Sequence, residues 1–142
     1  MPDDATSRSR SFRLSRRTAD LLDQRAHDLG QSRNAVVERL LAEGLRREDH
    51  PLVCFRSNAG GMRRAALVGT RLYVWQVINA LRQTDGSVAD VADDFGLSER
   101  EVRAAADYHA DFGDEVDSDA VRAAEFARRE RERRERSAPL AR

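Results

Sequence analysis

One stretch of this sequence, residues 9–48, limits the possible folds more than any other. It begins with a short segment in which polar and apolar side chains alternate, a pattern typical of a half-buried strand. Two amphipathic helical patterns follow at once. One strand and two short helices cannot close a core alone, because an isolated strand leaves its backbone groups unpaired. The stretch therefore predicts a dimer in which two strands pair antiparallel and four helices pack beneath them.

The local signals within this stretch place the elements. The strand is expected at about residues 10–14, and Ser15 is a good N-cap for the first helix. That helix runs to about Leu29, because Gly30 favours a helix C-terminus. Ser32 caps a second helix, which ends near residue 47. The side chains predicted to face the core are Leu21, Leu22, Ala26, Leu29, Val36, Val37, Leu40, Leu41 and Leu45.

Strand, helix, Gly-x-Ser turn and helix at this spacing resemble the ribbon–helix–helix repressors of the Arc/MetJ/CopG type. The resemblance implies a dimer whose two-stranded ribbon enters the DNA major groove. The outward strand residues that would read base edges are Ser9, Ser11 and Arg13. The N-terminus of the second helix would bind a phosphate at Ser32, Arg33 and Asn34. One position departs from the pattern, since Arg10 stands where an apolar residue is common. The alternative is a helical hairpin in which Arg13 is only solvated.

After a charged boundary that ends in Pro51, the chain predicts a small β-hairpin and three helices. The hairpin strands are two apolar runs, residues 52–55 and 65–68, with turn residues between them. The helical part has the spacing of a helix-turn-helix, carried by Ala92, Gly96, Leu97, Val102 and Ala105. Two acids stand among the exposed positions of its second helix and repel phosphate. We favour the interpretation that this helix-turn-helix is a structural, partner-binding module. The alternative, a second DNA-binding module, stays open.

Residues 62–117 resemble a second family. The resemblance rests on four segments: residues 68–74, 87–95, 97–102 and 108–117. Together they look like a domain of unknown function found in antitoxins paired with PIN-like toxins, which implies a VapB-like antitoxin. The third helix is expected to end near His109. The acidic stretch after it is expected to be a solvated turn rather than a cation site, and its carboxylates are Asp111, Asp114, Glu115 and Asp117.

Residues 118–142 form a tail rich in Arg and Glu. Strong helix formers predict a helix at about residues 120–136. Its apolar residues are sparse, so the helix is marginal alone and suited to folding on a partner. The alternative is a solvated charged tail. The expected toxin-binding side chains are Val121, Phe126, Arg128, Arg129, Arg131 and Arg133.

Composition limits the kinds of ligand and site that the chain can have. The 25 basic residues balance the 25 acidic ones, all basic residues are Arg, and residues 8–17 hold five Arg with no acid. DNA binding would therefore depend on a local patch. A lone Cys54 excludes an internal disulfide, and the three His show no metal-ligand spacing, so no cofactor or metal is expected. Residues 1–8 are expected to be disordered, and the absence of a long apolar run predicts a cytoplasmic protein.

These patterns predict a mainly α protein with five parts. They are a disordered N-terminus, a ribbon–helix–helix dimer head (9–48), a linker with a short strand (49–61), a helix-turn-helix-like antitoxin module (62–117) and a charged helical tail (118–142). The predicted function is an antitoxin of a type II toxin–antitoxin system. It would neutralise a PIN-like ribonuclease and, as a homodimer, bind double-stranded operator DNA to repress its own operon. The alternative is a free-standing transcriptional regulator. No catalytic set appears at usable spacing, so an enzyme is not expected.

Overall fold

The computed structural model describes residues 8–58 and 60–140, which are mainly helical with one small two-stranded antiparallel sheet. The described chain divides into two compact units, the first ending at Ala42 and the second beginning at Glu43. The mainly α class is confirmed. Residues 1–7, where disorder was predicted, lie outside the described residues. The elements in chain order are α1 (Arg16–Leu29), α2 (Arg33–Asp49), β1 (Val53–Ser57), β2 (Arg63–Leu67), α3 (Val74–Gln83), α4 (Val88–Phe95) and α5 (Glu99–Ser137), followed by a 3-10 turn (Ala138–Leu140).

The helix α1 begins and ends where the sequence predicts, and α2 begins where predicted and ends at Asp49, close to the expected residue 47. The Ser15 Oγ accepts a hydrogen bond from the backbone N–H of Thr18 at 3.2 Å and caps α1. Gly30 ends α1 in the left-handed conformation, with φ 61°, which glycine adopts without steric cost. Ser32 caps α2 by accepting from the backbone N–H of Ala35 at 3.1 Å.

The predicted strand at residues 10–14 does not form in the single chain. Residues 8–15 have neither helical nor strand structure. The described residues of the first unit contain no other strand, and a lone extended segment gains no ladder hydrogen bonds. The ribbon therefore stays a prediction that depends on a second copy.

The predicted core of the first unit is also incomplete in the single chain. Among its described residues, Ala26 and Val36 are the buried ones. Several side chains predicted to face a core are instead well exposed: Leu21 at 63%, Leu29 at 45%, Leu40 at 48% and Leu41 at 50%. The apolar side chains of the predicted strand are exposed as well, Phe12 at 74% and Leu14 at 47%. This unit leaves most of its large apolar side chains in contact with water.

The predicted hairpin forms, shifted by one or two residues from the expected bounds. Its strands β1 and β2 pair antiparallel, with Val53 opposite Leu67 and Ser57 opposite Arg63. The side-chain Oδ1 of Asn58 closes the turn by accepting from the backbone N–H groups of the residues at 60 and 62, each at 3.0 Å. One face of the hairpin covers the core of the second unit.

Three helical segments complete that core, as the apolar spacing predicts. Ser87 and Ser98 cap α4 and α5. The Ser98 cap is a reciprocal box, because Glu101 accepts from the backbone N–H of Ser98 at 2.8 Å, which holds the pKa of Glu101 below its ordinary value. Gly96 joins α4 to α5 with φ 65°. The buried side chains that meet here include Val77, Ile78, Val91, Ala92, Val102, Ala105 and Tyr108.

The prediction that the third helix ends near His109 and is followed by an acidic turn is wrong. Instead, α5 continues to Ser137, with one break in helical geometry at Phe112 (φ −130°, ψ 37°). No proline interrupts the helix, and residues after the kink are packed, since Val116 is 1% and Asp119 is 5% exposed. The chain predicted to be a solvated turn is therefore part of the folded second unit.

Candidate DNA-binding and partner-binding surfaces

The first candidate surface is the basic segment before α1. Its five arginines lie in residues 8–17, all of which are exposed. The predicted base-reading residues Ser9, Ser11 and Arg13 are part of it. No hydrogen bond or ion pair with another described residue holds these three side chains, so they are free to turn towards a ligand.

The second candidate surface is the N-terminus of α2, with Ser32, Arg33 and Asn34. All three are exposed, and the first turn of a helix presents backbone N–H groups and a positive dipole end that attract anions. The Ser32 hydroxyl already caps the helix. The Nε of Arg33 lies 2.5 Å from Asp23 of α1, in a pair whose side chains are 69% and 48% exposed. A phosphate would therefore compete with Asp23 for this guanidinium.

In the second unit, an arginine from α2 holds α5 at its kink. The Nη1 of Arg46 donates to the Tyr108 hydroxyl at 3.1 Å and to Glu115 at 2.6 Å. Its guanidinium carbon lies 4.2 Å from the centre of the Phe112 ring, a distance suited to a cation–π contact. Burial raises the pKa of Tyr108 to about 12, so the phenol is neutral at physiological pH. One arginine thus joins the two sides of the kink.

Two histidines add contacts at the same kink. The Nε2 of His50 lies 2.8 Å from Asp111. On α5 itself, the Nε2 of His109 lies 3.0 Å from Asp117, to which Arg82 of α3 also donates at 2.9 Å. The hydrogen bond with His109, together with Arg82, holds the pKa of Asp117 below its ordinary value. A Cβ at Gly113 would lie 3.4 Å from that ring, at ordinary van der Waals distance.

A third pair anchors the segment beyond the kink. Arg64 of β2 and Asp119 of α5 are both buried, and the Arg64 Nε lies 3.8 Å from the Asp119 carboxylate. That separation is too long for a direct hydrogen bond, and the buried Nε of Arg64 has no other partner. Burial raises the pKa of Asp119. The pair is therefore partly unsatisfied and sensitive to substitution.

The third candidate surface is the last part of α5, residues 120–137, which we call the tail helix. The predicted tail helix is present, as the continuation of α5. Both predicted apolar anchors are exposed, Val121 at 59% and Phe126 at 57%. Two of the predicted arginines meet glutamates of the same helix at long range, Arg128 with Glu132 at 4.0 Å and Arg133 with Glu130 at 3.7 Å. These exposed pairs contribute little to stability.

Sequence reasoning identified the acidic stretch but missed what it contacts. Of its four carboxylates, Asp111, Glu115 and Asp117 are paired with histidines or arginines, and three of these partners lie 35 to 69 residues away along the chain. A local sequence pattern does not indicate partners that lie so far away along the chain. Within the residues that the structure covers, no three His, Cys, Asp or Glu side chains converge as metal ligands. None of the helices described is both long and apolar enough to cross a membrane.

Comparison with known proteins gives one match. Residues 62–109 are similar to a family described as a protein of unknown function (DUF433). The match spans β2, α3, α4 and the part of α5 before the kink, about a third of the chain. No curated protein and no solved structure matches the chain.

Proposed function

We propose that this protein is the antitoxin of a type II toxin–antitoxin system and that it represses its own operon. In this proposal the first unit forms a ribbon–helix–helix dimer on palindromic operator DNA. The second unit carries the tail helix, which binds and inhibits a PIN-like ribonuclease. The chain acts through these two binding surfaces.

The observation that carries the proposal is the incomplete first unit. A basic, unpaired segment stands directly before two well-capped helices, and most large apolar side chains of that unit are exposed. A second copy supplies both missing parts at once, because its segment pairs as the second strand and its helices cover the apolar side chains. Exposed large apolar side chains in this number are typical of a protein that buries them against a partner.

The charge of the same segment indicates DNA as its ligand. Five arginines without an acid in residues 8–17 form a patch suited to phosphates, and binding should weaken steeply as salt is added. The ribbon places Ser9, Ser11 and Arg13 towards the base edges, where the planar fork of Arg13 matches the two acceptors of guanine. The start of α2 then supplies the phosphate contact.

The tail helix suits an acidic protein partner. It is exposed, rich in arginine and almost free of packing contacts. PIN-like nucleases cluster carboxylates around Mg²⁺ for RNA cleavage. An arginine placed among these carboxylates makes charge-assisted, bidentate hydrogen bonds and competes with the metal.

A second candidate function is a free-standing ribbon–helix–helix transcriptional regulator. The helix-turn-helix connection between α4 and α5 favours it, because Arg100 and Arg103 are exposed on α5 and the module would serve as a sensor or second DNA reader. Arg103 is already paired with Glu99 at 3.2 Å, and neighbouring acids weaken the attraction for phosphate. An adjacent reading frame for an acidic PIN-like protein favours the antitoxin, and its absence favours the regulator.

The test is co-expression with the neighbouring gene, followed by mass measurement of the purified complex. A chain truncated to residues 1–120 should still bind operator DNA and should lose the toxin. This boundary keeps Val116 and Asp119, which are buried parts of the second unit. Full inhibition of the toxin by the truncated chain would show that the tail helix is not the inhibitory element.

A further inference from the structure

Four of the seven arginines of the tail helix lie on one side of it. At about 100° per residue, Arg122, Arg129, Arg133 and Arg136 fall within about 60° of the helix circumference, and Phe126 lies at the edge of this row, about 20° beyond Arg133. With Phe126 included, the intervals from residue 122 to residue 136 are four, three, four and three residues, so the row follows the helix for about 21 Å. We call the four arginines the arginine stripe.

The exposure of these side chains leaves the stripe available. Its four arginines are exposed, as is Phe126 at 57%. No hydrogen bond or ion pair with another described side chain holds Arg129 or Arg136, and Arg133 has only its 3.7 Å contact with Glu130. Arg122 interacts electrostatically with Asp119. The stripe is therefore a row of exposed guanidinium groups with at most weak contacts, and a partner can bind it without first breaking strong ones.

The other predicted contact residues point elsewhere. Val121 lies about 140° from Phe126 around the helix, so one flat surface does not cover both. Arg128 and Arg131 lie about 120° and 180° from the centre of the stripe. The sequence alone gives no reason to prefer one of the predicted arginines over another. The helix places Arg129 and Arg133 on the side of Phe126 and Arg128 and Arg131 away from it.

We propose that the arginine stripe, together with Phe126, is the face that binds the toxin. This inference rests on the proposed function. The complementary surface on the toxin is a narrow acidic groove. An apolar pocket at one end of this groove receives Phe126, near the first turn of the tail helix. Glutamates border the stripe on both sides, with Glu125 and Glu132 on one side and Glu130 on the other. These acids disfavour the broad phosphate surface of duplex DNA and fit a groove whose rims are neutral or basic.

The experiment compares two double charge reversals on the same helix. Arg129→Glu with Arg133→Glu alters the stripe, and Arg128→Glu with Arg131→Glu is the matched control with an equal change in charge. The probe is the PIN-like nuclease that the proposed function expects from the neighbouring gene, titrated against the full-length protein. We expect the stripe variant to raise the Kd at least about 100-fold and the control to change it less than about threefold.

A second comparison tests the aromatic anchor. Phe126→Ala should weaken the complex about tenfold, whereas Val121→Ala should leave the Kd nearly unchanged. Circular dichroism of every variant checks that α5 remains helical, since glutamate and alanine are both good helix formers.

Each outcome separates the two proposals. Equal losses for both double variants overturn the stripe and leave the antitoxin proposal standing. No complex with the wild-type chain overturns both. If the stripe variant instead loses affinity for a random-sequence DNA duplex more than the control does, the face binds nucleic acid. If the stripe variant has a different oligomeric mass from the wild-type protein in the absence of toxin, the face binds a second copy. Either result overturns the stripe as a toxin contact.

Discussion

At the scale of single residues, two arginines of the first unit differ in what holds them. Arg13 has no hydrogen-bond or ion-pair partner among the described residues, and its side chain is free to meet a base. Arg33 is held by Asp23 at 2.5 Å, beside the first turn of α2. A partner-free arginine suits sequence reading, and one fixed beside a helix N-terminus suits a phosphate at constant position.

This difference gives a prediction for DNA binding. Arg13→Ala should cost about 1–3 kcal/mol at one base position of the operator and relax specificity there. Arg33→Ala should weaken binding to all sequences alike and reduce the salt dependence by about one phosphate contact. Fluorescence anisotropy with operator and random duplexes at several salt concentrations measures both effects. Equal losses for Arg13→Ala on the two duplexes would remove its proposed role.

At the scale of elements, side chains from three other elements contact α5 just after its kink. Arg46 of α2 contacts Glu115, Arg82 of α3 contacts Asp117, and Arg64 of β2 faces Asp119. Each arginine comes from a different element, and each carboxylate follows the kink. These pairs, together with buried Val116, fix the start of the tail helix to the second unit.

The Asp117 contacts give a prediction for stability against pH. The pKa of Asp117 is lowered below its ordinary 3.8, so its contribution is complete above that value and is lost as the pH falls through the lowered pKa. Asp117→Asn should reduce the free energy of unfolding at pH 7 by only about 0.5 kcal/mol, because the side chain is 46% exposed and screened.

The matched control for that substitution is Asp114→Asn, an exposed carboxylate of the same segment. Urea unfolding of both variants, measured in steps from pH 7 to pH 3, checks the prediction. The difference between wild type and Asp117→Asn should shrink towards pH 3, and the control should differ little throughout. A difference that grows on acidification would contradict the assignment.

At the scale of the whole molecule, the two units differ in how complete they are. The second unit encloses a continuous core between the hairpin and three helical segments. Among its described residues, the first unit buries Ala26 and Val36 and exposes most of its leucines. Small units of this kind need a partner for stability, and a dimer of first units would supply it.

Dimerisation gives a prediction of its own. Leu41→Glu places a charge on a leucine that is 50% exposed in the single chain, so the fold of one copy should tolerate it better than the interface does. Burial of an unpaired charge opposes association, and we expect the dimer Kd to rise at least about tenfold, with operator binding lost in parallel.

Sedimentation equilibrium measures that change. The control is Leu140→Glu, at a position that is 89% exposed after the tail helix, which should leave the dimer intact. Wild-type protein that remains monomeric at high concentration, or a dimer unaffected by Leu41→Glu, would contradict the proposed interface.

The sequence by itself determined the local features of this protein. Serine caps, Gly30 and Gly96 place helix ends because their effects act within a few residues. Apolar periodicity indicates the faces of α3, α4 and α5 that meet in the core, and two apolar runs predict the hairpin. The predicted strand at residues 10–14 stays dependent on a second chain, since strand pairing is never a property of one segment.

Only the tertiary structure decided the continuity of α5. Read locally, the acidic stretch after His109 is expected to be a solvated turn. In the fold, Arg46, Arg82 and His50 bring compensating groups from 35 to 69 residues away, and Val116 finds a place in the core. Long-range pairing and burial outweigh the weak local preference, and the helix continues through Phe112 to carry the tail.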